Sequence, residues 1–200
     1  METKNQSRIM LIHSDADPVR LAFPVLNTPE QFQGTGKPRY SGTLLVKPGG
    51  ANDKKIRAAL RATAAAKWGE AKADAAVKSI EASGKIAYKD GNAKSDYDGF
   101  AGNWSLAAHA QESAPPTLLD GVKNRLPRNT GVIYAGCHVN ASVEIWALDK
   151  SKGFGNQLNA NLRGLQFAAA GDSFAAARPA DDDEFEAVEG AHDAEDEDFA

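Results

Sequence analysis

Histidine, cysteine and clustered carboxylates build most active sites and metal centres, and in this chain they do not converge. His13, His109, His138 and His192 are scattered, and none falls into a close His/Cys/Asp pattern with metal-ligand spacing. Cys137 is the single cysteine, so no intramolecular disulfide can form, which suits a reducing cytoplasm. No G-x-S-x-G, Walker or H-E-x-x-H motif occurs. The loop Gly34-Thr35-Gly36-Lys37-Pro38-Arg39 is not a phosphate cradle: the leading glycine spacing is absent, and Pro38 follows the lysine where Ser or Thr belongs. Asp90, Asp96 and Asp98 could approach a cation, but they lie in a Gly-rich stretch without a terminal Glu ligand. A hydrolase or nuclease built on them would lose activity with a chelator. The expectation is a protein that is not an enzyme and takes no metal or cofactor.

Rings beside cations offer a different chemistry. Single-stranded nucleic acid is held by cationic grooves along its backbone and by aromatic faces on which bases stack. Lys37, Arg39 and Tyr40 combine charge and ring at a strand entrance, and Tyr88-Lys89 repeats the pairing. Lys123, Arg125 and Arg128 form a second basic patch with no acid between them. Tyr134 and Trp146 lie at the polar positions of an alternating segment, where they either stack bases or cover a second small core; His138 there is a surface residue or a DNA contact. Phe154, flanked by Gly153 and Gly155 and close to Lys152, is the ring whose exposure costs stability unless something uses it.

Charge is divided along the chain. The formal net charge of -4 conceals a tail, residues 179–200, with eleven acids and no Lys or Arg, and a body near +7. Such asymmetry marks nucleic-acid-binding proteins with acidic tails, although a solubilising tail on an unrelated basic domain has the same composition. The last stretch, Ala194-Glu195-Asp196-Glu197-Asp198-Phe199-Ala200, sets one aromatic in an acidic run. A tail of this kind can compete for the body's cationic groove and, when DNA displaces it, offer Asp196, Glu197, Asp198 and Phe199 to a partner's basic-rimmed pocket. The plainer reading is a tail that only solubilises.

The elements that position these residues are mainly strands. Val19, Leu21 and Phe23 alternate with Arg20 and Ala22 as a strand, and Pro24, Asn27 and Pro29 close it into a loop. Residues 1–15 read as an unstructured or edge-pairing arm. Tyr40–Val46 is a strand ended by Lys47-Pro48-Gly49-Gly50. An Ala-rich helix follows, capped by Asn52 or Asp53 and extending to about Glu81 with a weakness at Gly69. Short strands are expected at Ile86–Lys89 and Trp104–Ala110, with the segment through Pro127 as a connection. From Ile133 to Ala147 every odd position is apolar and most even positions are polar, which predicts one long strand, with Gly136 as the place for a bend, and makes Cys137 a small core residue. The turn Lys150–Gly155 leads to a return strand whose phase shifts at Gly164, as at a bulge. The long hairpin also offers an edge for a homodimer. No run of 18 apolar residues occurs, so no membrane-spanning helix is expected. The sum is a mainly β, α+β chain: an OB-like antiparallel barrel with an inserted helix and a long hairpin over 1–175, then a disordered acidic tail over 176–200. A β-sandwich is the other architecture that fits this strand count.

Three stretches, in this order, resemble the phage OB-fold single-stranded-DNA-binding proteins of tailed-phage replication modules. They are Gly36–Pro48 with the helix after it, Ile133–Val143, and Gly153-Phe154-Gly155 leading to Leu162–Phe167. The resemblance implies an OB fold, sequence-tolerant binding of single strands in DNA replication, recombination or repair, and no catalysis. It also implies an acidic tail that recruits phage or host replication and recombination proteins in the cytoplasm of the infected bacterium. This chain departs from the pattern in placing Ala200 after Phe199. A structural or assembly protein of the phage, whose tail regulates self-association, is the alternative from another class.

Overall fold

The computed structural model describes residues 6–32, 34–149, 151, 153 and 155–174. Among these residues eight strands and two α-helices follow one another: β1 (Gln6–Leu11), β2 (Val19–Phe32), β3 (Thr35–Val46), α1 (Ala51–Trp68), α2 (Ala73–Ala82), β4 (Tyr88–Asp90), β5 (Trp104–Gln111), β6 (Thr117–Leu119), β7 (His138–Leu148) and β8 (Gln157–Ala169). Strands β2, β3, β5, β8 and β7 pair in that order, and β7 pairs back to β2, so the sheet closes in a ring. Most pairs are antiparallel; β5 meets β8 in parallel, His109 opposite Asn161. β1 adds to β7, β4 to β5, and β6 to β8. The mainly β, α+β class, with helix between strands and a long β7–β8 hairpin, is the class expected from the sequence.

Alternation decides which side chains fill the ring. Val139, Ala141, Val143 and Ile145 of β7 face inward with Leu158, Ala160 and Leu162 of β8, Leu106 and Ala108 of β5, and Leu44 and Val46 of β3. The phase shift at Gly164 is a bulge: Ser142 pairs with Gly164 but Val143 with Leu162, leaving Arg163 as the extra residue, and Leu165 resumes the core. Helix α1 packs on β1 and β7. Its Thr63 hydroxyl is buried within reach of Ser7 Oγ (3.1 Å) and the Ile145 carbonyl (3.5 Å). The expected helix breaks at Gly69, whose φ of 93° suits glycine. Gly50 is the N-cap; Asn52 and Asp53 lie in the first turn instead. Asp53 still serves the helix start, accepting the Gly49 N–H at 2.7 Å, while Asn52 bonds both backbone groups of Ile12.

Several expectations need correction. β7 begins at His138, not Ile133: Gly136 takes φ 100°, and Ile133–Cys137 form a turn that returns hydrogen bonds to Leu21. β2 does not end at Pro24 but continues through Pro24 and Pro29, because register shifts against β3 accommodate residues that lack an N–H. Of the two readings of the N-terminal arm, the edge-pairing one holds: β1 pairs along β7. The 115–127 connection holds β6. Lys152, Phe154 and residues 175–200, including Asp196, Glu197, Asp198 and Phe199, lie outside the described residues.

Candidate nucleic-acid interface

Residues opposite one another in a sheet share a face, and the outer face of the ring can be followed strand by strand. Trp146 of β7 lies opposite Asn159 of β8, Glu144 opposite Asn161, Asn161 opposite His109 of β5, and His109 opposite Ser41 of β3. One pleat along, Ala107 faces Thr43 and Ser105 faces Leu45; Lys89 of β4 joins beside Ser105. In the other direction Gln111 lies opposite Arg39. From Ser105 to Gln111 this track spans ~20 Å of strand.

A groove of about 380 Å³ opens on it. Lys85, Lys89 and Lys94 supply cations; Thr43, Ser105, Gln157 and Asn159 supply hydrogen-bonding side chains. His109 lies in its floor. Burial, and then the charge of Arg39, push its imidazole pKa down to about 4, so it is neutral at physiological pH. Its Nδ1 is buried and has no hydrogen-bond partner among the described residues. At the far end of the track Lys37, Arg39, Gln111, Glu112 and Ser113 line a second recess. The track therefore carries cations at both ends, with Asp90 and Glu112 beside them, and mostly neutral polar groups between. The carboxylate in the middle row, Glu144, is paired with Arg163, and the balance suits an extended polyanion.

The residues expected at the site do not all come together. Lys37, Arg39 and Lys89 are on the outer track. Trp146 is at its β7 side, half-buried, its indole N–H donating to Asn161 Oδ1 at 3.1 Å. Tyr40 and Tyr88 are corrections, because both rings point inward. Tyr40 is 8% exposed and packs in the core. Tyr88 is 1% exposed and its hydroxyl donates to Asp53 Oδ1 at 2.8 Å. Burial, and next the Asp53 carboxylate, raise the phenol pKa. Burial would push the Asp53 carboxyl up too, but hydrogen bonds from Gly49, Tyr88 and Arg57 outweigh it and hold the carboxyl below its ordinary value.

Arg128 is likewise a structural clamp. Its guanidinium covers the Tyr40 ring at 4.6 Å and donates to the Leu26 and Pro116 carbonyls. Tyr134 leaves the wet strand face with the shortened β7; its hydroxyl donates to the Gly171 carbonyl and accepts the Gly171 N–H. Lys123 and Arg125 are exposed on the turn after β6, where the Asp120 carboxylate accepts the Val122 and Asn124 N–H groups. They belong to the β6 edge, past the Arg163 bulge, and not to the Lys85–Lys94 groove. Sequence reading missed Lys85, Lys94 and His109. His109 could have been found, since it sits at a polar position in the alternating β5.

Beside the groove, on β2 and the 91–103 loop, Phe23 and Tyr97 are two large exposed rings. Behind them Phe100, Ala22 and Leu45 form a small satellite core, with Phe174 packed against it. Arg20 holds this end of the chain: it covers the Phe174 ring at 4.2 Å and donates to the carbonyls of Gly136 and Asp172.

Comparison with known proteins finds phage proteins similar to this chain. A family model described as Enterobacter phage Enc34, ssDNA-binding protein, matches residues 12–200. Protein p50 of Acyrthosiphon pisum secondary endosymbiont phage 1 is 34% identical over 171 residues, which cover 84% of this chain and 89% of that protein. Among solved structures, the single-stranded DNA-binding protein from bacteriophage Enc34 in complex with ssDNA superposes with a TM-score of 0.64 at 24% identity, covering 88% of this chain and 96% of that one. The single-stranded DNA binding protein of bacteriophage T7 shares the fold at 10% identity, with a TM-score of 0.51 over 94% of this chain and 99% of that one.

Proposed function

We propose that this chain, which belongs to the Enterobacter phage Enc34 ssDNA-binding protein family, binds single-stranded DNA along the outer face of its ring, without catalysis and with tolerance of sequence. The observation that carries the reading is the track itself. Lys85, Lys89 and Lys94 at one end and Lys37 and Arg39 at the other, outnumbering Asp90 and Glu112, flank hydrogen-bonding groups such as Thr43, Ser105 and Asn159 on one face. Phosphates take the amines and supply salt-dependent affinity; bases take the neutral groups and the rings. In this reading residues 1–175 are the binding domain and 176–200 a separate acidic tail. The tail competes with DNA for the cationic track and, once displaced, engages replication, recombination or repair proteins in the cytoplasm of the infected cell, with Asp196, Glu197, Asp198 and Phe199 as the contact segment.

Titration with oligo-dT at low and high salt, with and without residues 179–200, tests the reading. Saturable quenching of tryptophan fluorescence that weakens with salt and tightens without the tail is the expected result. Absence of binding by both forms at low salt would overturn it.

A further inference from the structure

The two exposed rings beside the groove call for a physical explanation. In strict alternation with Val19 and Leu21, Phe23 would face the core. It does not, because an extra residue enters β2 between Ala22, opposite Thr43, and Val25, opposite Ser41. At this bulge Phe23 takes φ 48°, a left-handed conformation that is a genuine outlier for a bulky residue. The result leaves a large ring 47% exposed. Strain and apolar exposure together are two costs the fold could have avoided, and such pairs concentrate where a ligand is held.

Tyr97 comes from a distant loop to the same place. It is 53% exposed and meets Phe23 edge-on, centroids 5.2 Å apart. The Lys94 ammonium lies 5.9 Å from the Phe23 centroid and 5.8 Å from that of Phe100. Lys94 and Phe100 also line the main groove, so the rings and the groove are continuous. A recess of about 230 Å³ opens between Phe23, Tyr97 and Phe174, with Asp96 and Asp98 on its rim. Those carboxylates disfavour a phosphate there, yet they can accept hydrogen bonds from a base's N–H edge. The charge pattern therefore admits a neutral planar group to the rings and keeps the anion at Lys94.

We infer that Phe23 and Tyr97 form a stacking platform for one unpaired nucleobase of the bound strand, with Lys94 taking the adjoining phosphate. The inference rests on the single-strand reading above. Were the rings only a cover for Phe100, their removal would disturb stability and leave binding alone.

The test uses the full chain and a dT oligonucleotide carrying 5-iododeoxyuridine. Irradiation of the complex is expected to cross-link the iodinated base to Phe23 or Tyr97, located by mass spectrometry. Tyr97→Ala is expected to weaken oligo-dT binding about tenfold, as loss of one stacked base does, with the salt slope unchanged because no charge is removed. Tyr97→Phe keeps the ring and recovers most of that loss. If the chain binds oligo-dT with salt-dependent affinity but cross-links elsewhere, and Tyr97→Ala binds within about twofold of the unaltered chain, the platform is wrong and the single-strand reading stands. If the unaltered chain does not bind oligo-dT at low salt, both fall together.

Discussion

Replacing Lys89 and Lys94 together by alanine gives the sharpest examination of the groove. Both side chains are exposed and line the same opening, one from β4 and one from the short 3-10 turn after it. Neither side chain is buried, so stability should change by less than about 0.5 kcal/mol for Lys89 and by up to about 1 kcal/mol for Lys94, whose ammonium lies over Phe23 and Phe100. The effect on binding follows from counterion release. Each phosphate neutralised on a single strand contributes about 0.7 to the slope of log affinity against log salt. Two lost amines should therefore flatten the slope by about 1.4, so that raising salt from about 50 to about 200 mM costs the unaltered chain about sevenfold more affinity than the variant. Fluorescence titration with oligo-dT across that range reads both slopes. Lys54→Ala with Lys78→Ala is the control: both lysines are exposed on helices α1 and α2, away from the track, and their loss should leave the slope as it was. An unchanged slope in the groove variant, or an equal change in the control, would mean that phosphates do not follow this groove and that overall charge alone attracts DNA.

Other perturbations examine the framework. Gly136→Ala should destabilise by about 3 kcal/mol in denaturant titration, since φ is 100° and an added Cβ would meet the Asp172 carbonyl at 2.1 Å; a loss below about 0.5 kcal/mol would contradict that packing. His109 takes its proton near pH 4 when folded but near 6.5 when unfolded. The unfolded chain thus binds more protons between those values, and stability is lost as pH falls from 6.5 toward 4. His109→Gln should make thermal stability flatter across that window, while DNA affinity shows no His109 step between about pH 6 and 8; His13, lowered by burial and by His138, would leave a residual slope of the same sign. Tyr88→Phe removes a buried hydrogen bond to the Asp53 carboxylate and should cost about 1.5 kcal/mol in unfolding, moderated because Gly49 and Arg57 still donate to it.

Much of the fold was legible because burial imposes a period. From His138 to Ile145 the alternation read from the sequence is the alternation observed, and the phase slip at Gly164 is a bulge. What was not legible depended on long-range partners. Gly136 was a visible place for a bend, but that the bend ends the strand, so that Tyr134 can bond Gly171 thirty-seven residues away, was not. Pro24 and Pro29 carry strong loop signals, yet β3 tolerates both by shifting register. The strained Phe23 had no local signal at all, since its neighbours assign it to the core.

The two ring-and-cation pairs at Arg39-Tyr40 and Tyr88-Lys89 show a more general limit. Adjacent residues in a strand point to opposite faces, so a ring and a cation next to each other in sequence cannot serve one surface of a sheet. The fold resolves each pair by polarity: Tyr40 and Tyr88 enter the core, and Arg39 and Lys89 remain outside. The buried rings are then covered by other arginines, Arg128 over Tyr40 at 4.6 Å and Arg57 near Tyr88 at 5.4 Å, which draws those cations into structure as well. A shared sheet surface must instead come from residues two apart or from neighbouring strands. Lys89 with Ser105 and Arg39 with Gln111 satisfy that condition. Side-chain direction, set by register, is thus what separates a cation that can reach a phosphate from one that holds the fold together.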